Sequence, residues 1–311
     1  MGVMAHPKGT GSPGGSLAHW SDKLQRFDRR WIFLIMGLAI VVPLYLPLGF
    51  PIKARPMTKA AFNAVEELHA GDVVFVSLDL DPASTAELEP YYRAVILQLK
   101  RKGVKLAITT LWYQAPPLVE RWIRDTVETA IAPAGTPGYT GAPDRAYVRN
   151  EDYVYLGFRE GKQNVILGMG ADLPHVFGGV TDDGTPYEAI PWLKNIHGLA
   201  DFKLMVLVSA GAPGAKEYTQ FAQNRYNLRM VAVTTAVSVT DLAPYYQAGQ
   251  LLGIVAGLAG SAEYEVLVGR PSIGVQGADV LNTGHGVVII AIVLGNIAYF
   301  ASRRRKAAQK Q

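Results

Sequence analysis

The chain has 311 residues, 49% of them apolar, with 32 glycines and no cysteine. That length holds one large domain or two small ones, and the lack of cysteine excludes a disulfide framework, a thiolate zinc site and a cysteine nucleophile. The formal net charge of +4 is unevenly placed: residues 1–30 and 303–311 hold ten bases and two acids, whereas residues 51–285 hold 20 bases and 24 acids, which excludes a nucleic-acid-binding domain built on clustered Lys and Arg.

Residues 1–30 read as a flexible basic cytoplasmic tail, with residues 9–16 made only of Gly, Ser, Thr and Pro. Residues 31–50 carry no charge and are long enough to cross a bilayer as a helix. They read as an uncleaved anchor rather than a signal peptide, whose apolar core runs about 7–15 residues. A second span is expected at residues 284–302, interrupted by Gly295 and Asn296, with a basic tail at 303–311. Basic flanks stay on the cytoplasmic side. The expectation is therefore a bacterial-type inner membrane protein with both termini cytoplasmic and its middle extracytoplasmic. Asn296 is expected either to bond a neighbouring helix or to pair with its equivalent in another copy.

Residues 51–268 alternate strand-like and helix-like patterns. A strand is expected at 73–80, then a helix at 84–102 with Ser84 and Glu87 spaced as a capping box and Gly103 at its end. A strand at 105–112 precedes a helix opened by Pro116 and Pro117 and running to about 131. Residues 132–144 read as loop. Strands at 153–158 and 164–169 suggest a hairpin around Glu160 and Gly161, or a short strand leading into a core one. A helix is expected at 186–197, a strand at 204–209, a helix at 214–226 and a strand at 230–239. Asp241 is read as the cap of a long helix reaching Leu267, whose Gly249, Gly253, Gly257 and Gly260 line one face for close packing, subunit contact or membrane contact. Residues 269–283 would link this domain to the second span.

Strands separated by helices, with near-continuous apolar runs, imply parallel pairing buried on both faces. The expected architecture is an α/β fold: an open, mostly parallel three-layer sheet, Rossmann-like or periplasmic-binding-protein-like, flanked by N- and C-terminal transmembrane helices. Ligands of such sheets sit beyond the carboxyl ends of the strands. By position that rule selects Asp79, Asp81 and Ser84, then Thr109 and Thr110, then Gly170 and Asp172, then Ser209 and Gly211, and finally Thr234. The competing explanation is that these residue types serve only as caps and turns.

The segment VFVSLDLDPAST, with Asp79 and Asp81 ending an apolar run, resembles the first motif of haloacid-dehalogenase-type phosphatases. The resemblance implies a magnesium-dependent hydrolase with Asp79 as nucleophile and Asp81 as acid/base, and Thr109 or Thr110 as the second-motif hydroxyl. It covers only these short stretches, and Ala83 stands where that family carries Thr or Val. The six histidines are scattered and the glycines at 168 and 170 lack dinucleotide spacing, so no metal site and no cofactor is expected. The leading expectation is a non-enzymatic structural or assembly subunit of an envelope complex, in contact with the lipid bilayer and with further copies of itself or other membrane proteins. The alternatives are a solute-binding or sensory module for a small polar ligand and the phosphatase-like hydrolase.

Overall fold

A computed structural model describes residues 28–308, apart from Pro47, Gly138 and Thr140. Most of the expected N-terminal tail, and residues 309–311, lie outside the described residues. The described chain divides into two units, residues 49–278 and residues 28–48 together with 279–308.

The larger unit is built on six parallel strands: β1 (Val73–Asp79), β2 (Lys105–Thr110), β3 (Tyr153–Phe158), β4 (Leu204–Ser209), β5 (Met230–Thr234) and β6 (Gly253–Ala256), in the order β3-β2-β1-β4-β5-β6. This is the order of doubly wound sheets, and the chain reverses direction across the sheet between β1 and β4. Successive strand residues point to opposite faces. Val74, Val76, Leu106, Ile108, Val206 and Val231 enter one apolar cluster, and Phe75, Ala107, Met205, Leu207, Ala232 and Ile254 enter another. Helices cover both faces, so strands buried twice over read as unbroken apolar runs. On the first face lie α2 (Pro56–Glu66), α3 (Thr85–Lys102), α4 (Pro116–Trp122, continuing as the π turn Ile123–Val127) and α9 (Gly257–Val268). On the second lie α5 (Lys162–Ala171), α6 (Leu173–Val176), α7 (Ala215–Tyr218, continuing as the π turn Thr219–Gln223) and α8 (Val239–Gln247).

Two polar devices brace the first face. Lys100, at the end of α3, and Asp144 form an ion pair of 2.7 Å with both side chains 0% exposed. Lys100 Nζ also donates to the carbonyls of Thr126 and Thr129, and Asp144 accepts the backbone N–H of Ile131 and Ala132. The loop after α4 is thereby tied to the helix beneath it. The second device lies on α9. Glu263 accepts Arg55 N at 3.1 Å, Arg55 Nε at 2.7 Å and Thr58 Oγ1 at 2.6 Å at the start of α2. Two residues on, Glu265 accepts the N–H groups of Ser272, Gly274 and Val275 at 2.8–3.0 Å. Those donors open α10 (Ile273–Ala308). Each helix start exposes backbone N–H groups without intrahelical partners, and a carboxylate there satisfies them with a favourable charge.

Several expected elements fold otherwise. Residues 164–169 belong to α5 rather than to a strand or hairpin, with Ile166 and Met169 turned inward one helical step apart. A six-residue apolar run does not separate the two states by periodicity. No α-helix forms over 186–197: a single 3-10 turn, Tyr187–Ala189, ends at Ile190 (φ −101°, ψ 108°), an extended residue as its following proline requires. The strand expected at 230–239 stops at Thr234, and Val239 already opens α8.

The long glycine-faced helix is also absent. Its residues form α8, β6 and α9 in succession. Gly249 (φ +74°) follows α8, Gly253 begins β6, Gly257 (φ +58°) turns the chain from β6 into α9, and only Gly260 lies inside a helix. The spacing of four marks two turns and a close approach: a Cβ on Gly253 would stand 2.2 Å from Ala61 N of α2. Ser84 does not cap α3 through Glu87. Asp81 caps the short turn Pro82–Ser84 by accepting Ser84 N at 2.9 Å, and Glu87 instead accepts Ala236 N at 2.9 Å. Gly103 ends α3 in the left-handed region, as expected.

In the smaller unit, α1 (Arg29–Tyr45) is an apolar helix of 17 residues capped by Asp28 and containing Pro43. It stops short of residue 50 because Leu46, which precedes Pro47, leaves helical geometry (φ −127°, ψ 89°). Residues 273–283, expected as linker, are the first turns of α10. Thr283 Oγ1 donates to the Ala39 carbonyl at 2.8 Å and Asp279 accepts Leu48 N at 3.0 Å, joining α10 to α1 and the segment after it. One described helix is long and apolar enough to cross a membrane, over Ile273–Phe300, with a mean hydropathy of 1.8.

Candidate functional site

The carboxyl ends of β1, β4 and β5 lie side by side, since Asp79 pairs in register with Ser209 and Ser209 with Thr234. Beyond β4 the chain runs through Ala210, Gly211, Ala212 and Pro213 to Gly214 before α7 opens. A Cβ on Gly214 would lie 2.5 Å from Gly211 O and from the Ser209 side chain, so only glycine lets this turn fold back onto the strand end. The Trp112 indole donates to the Pro213 carbonyl at 2.6 Å and braces the turn from the β2 side. Glu217 closes it by accepting Gly214 N at 2.8 Å.

The result is a cleft of about 110 Å³ between the β4–α7 turn and the start of α8. Ser209 and Thr234 form its floor, Lys216 and Glu217 line it from α7, and Asp241 and Leu242 from α8. Thr234 is 1% exposed and its hydroxyl has no hydrogen-bond partner among the described residues. Ser209 Oγ accepts Ala215 N at 3.2 Å, which leaves its proton free to donate. Lys216 Nζ and Asp241 Oδ2 stand 3.9 Å apart at the rim, both side chains substantially exposed.

Next to this floor, Asp79 is fully buried. One oxygen accepts Leu111 N at 2.6 Å and the other accepts Ser77 Oγ at 2.7 Å. The Ser77 hydroxyl also shares a hydrogen bond with the Tyr218 hydroxyl at 3.2 Å. Burial pushes the Asp79 carboxyl up to about 7 against these hydrogen bonds, with the charge of Glu217 adding to the rise. Burial, and then Asp79 itself, push the Tyr218 hydroxyl well above its ordinary value.

Of the residues selected by the strand-end rule, Ser209, Gly211 and Thr234 line the cleft and Asp79 lies beside its floor. Thr110 Oγ1 accepts Trp112 N at the end of its own strand and also hydrogen-bonds the Asp79 side chain, and Thr109 donates to the Gly157 carbonyl on β3. Asp81 and Ser84 cap one another. Gly170 lies within α5 against the Tyr226 ring, and Asp172 caps α6 through His175 N. Neither follows a strand, because the strand expected before them is α5. Lys216, Glu217, Asp241 and Leu242 escaped the positional rule because they sit in helix first turns; a Lys-Glu pair just after a glycine-rich turn was the available signal. Asn296 is an exposed residue of α10.

Asp79 is not presented as a phosphatase nucleophile, since both oxygens are bonded inside the fold and none reaches solvent. Among the described residues no three His, Asp or Glu side chains are grouped to hold a metal ion. No protein-family model, no characterised protein and no solved structure matches this chain.

Proposed function

We propose that this chain is a non-enzymatic, membrane-tethered α/β subunit whose cleft at the β4 and β5 ends binds a small polar ligand. One observation carries the reading: the adjoining Ser209 and Thr234 at the β4 and β5 ends floor a cleft walled by Lys216, Glu217 and Asp241. The cleft lies beyond the carboxyl ends of the strands, the end at which doubly wound sheets take ligands, one strand along from the reversal of strand order between β1 and β4.

The tethering half of the reading rests on the apolar α10, on α1, and on the basic residues outside them. It places both termini on the cytoplasmic side of an inner membrane, the sheet on the far side, and α1 and α10 in the bilayer, available to further copies or other membrane proteins. Two measurements test the halves separately. Thermal denaturation of the detergent-solubilised full-length protein against a panel of small polar metabolites should show a stabilising shift that Thr234→Val removes. Reporter fusions at residues 150 and 311 should report opposite sides of the membrane; the same side for both refutes the topology.

A further inference from the structure

We infer that the ligand of this cleft is a small zwitterion, of the size and kind of a short aliphatic α-amino acid; this rests on the ligand-binding reading above. Size sets the first limit. By the measure in which one water needs about 10–15 Å³, a cleft of about 110 Å³ admits a molecule of about seven to eleven heavy atoms, which excludes nucleotides and admits a short amino acid.

Polarity sets the second. The Ser209 hydroxyl accepts Ala215 N and therefore offers a proton inward, and the Thr234 hydroxyl beside it is uncommitted. The floor thus offers hydroxyl donors to a hydrogen-bond acceptor. Lys216 adds a cation on the same side of the chain turn, and together they suit a carboxylate. The opposing requirement comes from Glu217 and Asp241. Glu217 spends one oxygen on Gly214 N, while among the described residues the Asp241 carboxylate meets only Lys216, at 3.9 Å. Two carboxylates against one ammonium repel a simple anion and call for a ligand cation. A lone cation leaves the donating floor unmatched, and a lone anion leaves the acidic walls unmatched. A molecule carrying both charges within a few bonds satisfies each. Leu242, nearly fully buried, supplies the apolar wall for a methyl-sized side chain.

The test is isothermal titration calorimetry on the detergent-solubilised full-length protein with four probes: L-alanine, propionate, ethylamine and glycerol. L-Alanine should bind saturably, and propionate and ethylamine, its two halves, at least about tenfold more weakly. Lys216→Met and Asp241→Asn should each weaken L-alanine about tenfold while leaving the melting temperature of the unliganded protein unchanged, since both side chains lie at the rim. Propionate or ethylamine binding as well as L-alanine overturns the zwitterion and leaves the small-ligand reading standing. Binding of glycerol alone does the same. If none of the four binds, both fall.

Discussion

Replacing Lys100 by Met removes a cation from one of the driest places in the fold and keeps the length of the side chain. The ammonium has three partners, Asp144 Oδ2 at 2.7 Å and the carbonyls of Thr126 and Thr129 at 2.8 and 2.7 Å. Burial lowers the Lys100 pKa, and the Asp144 carboxylate opposes that shift. Without the ammonium, the Asp144 carboxylate keeps only the N–H groups of Ile131 and Ala132, and two carbonyls lose their donor. Breaking a buried pair from one side costs about 3–5 kcal/mol, and the orphaned carbonyls set the expectation at about 4 kcal/mol. With a urea m-value of about 3 kcal/mol/M, the midpoint should fall by about 1.3 M with m unchanged. Tryptophan fluorescence during urea unfolding measures it. The double variant Lys100→Met/Asp144→Asn should lose less than the sum of the two single changes, because each removes a partner the other needs. A midpoint shift worth under about 1 kcal/mol, or strictly additive losses, would refute the claim that this pair holds the loop after α4.

Asp79 supplies a pH prediction. Its carboxyl rises from 3.8 to about 7 on folding, so between those values the folded chain holds a proton that the unfolded chain has released, and stability declines as pH climbs. Asp79→Asn escapes that decline, and its stability relative to wild type should improve by about 2–3 kcal/mol from pH 5 to pH 8; a pH-independent difference in urea midpoints refutes it. Gly253→Ala drives a methyl to 2.2 Å from Ala61 N, and the overpacking should cost about 1–3 kcal/mol by the same assay. Glu265→Ala strands three N–H groups at the start of α10 and should cost about 2 kcal/mol, whereas Glu265→Gln, which keeps one acceptor oxygen, should recover part of it.

Five of the six strands were legible because burial on both faces leaves near-continuous apolar runs such as VVFVSLD and LMVLVS. β6 was not. It is four residues long, GIVA, set between glycines whose spacing imitates a helical face. The α5 segment was misread for the converse reason: its apolar run is as short as a strand, and only Ile166 and Met169 are fully buried in it, with Val165 packed at the edge. For the site, position at a strand end was enough to find Ser209, Gly211 and Thr234. It was not enough to find the walls. Lys216, Glu217 and Asp241 meet only because β4 and β5 are neighbours, and that adjacency is a property of strand order rather than of local pattern.

The two carboxylates of α9 give that helix a second office. One grips the chain where it arrives from residue 49, the other where it departs at residue 272, so a single short element serves as the hinge pin for both ends of the sheet unit. Displacing α9 itself would unfasten both contacts together.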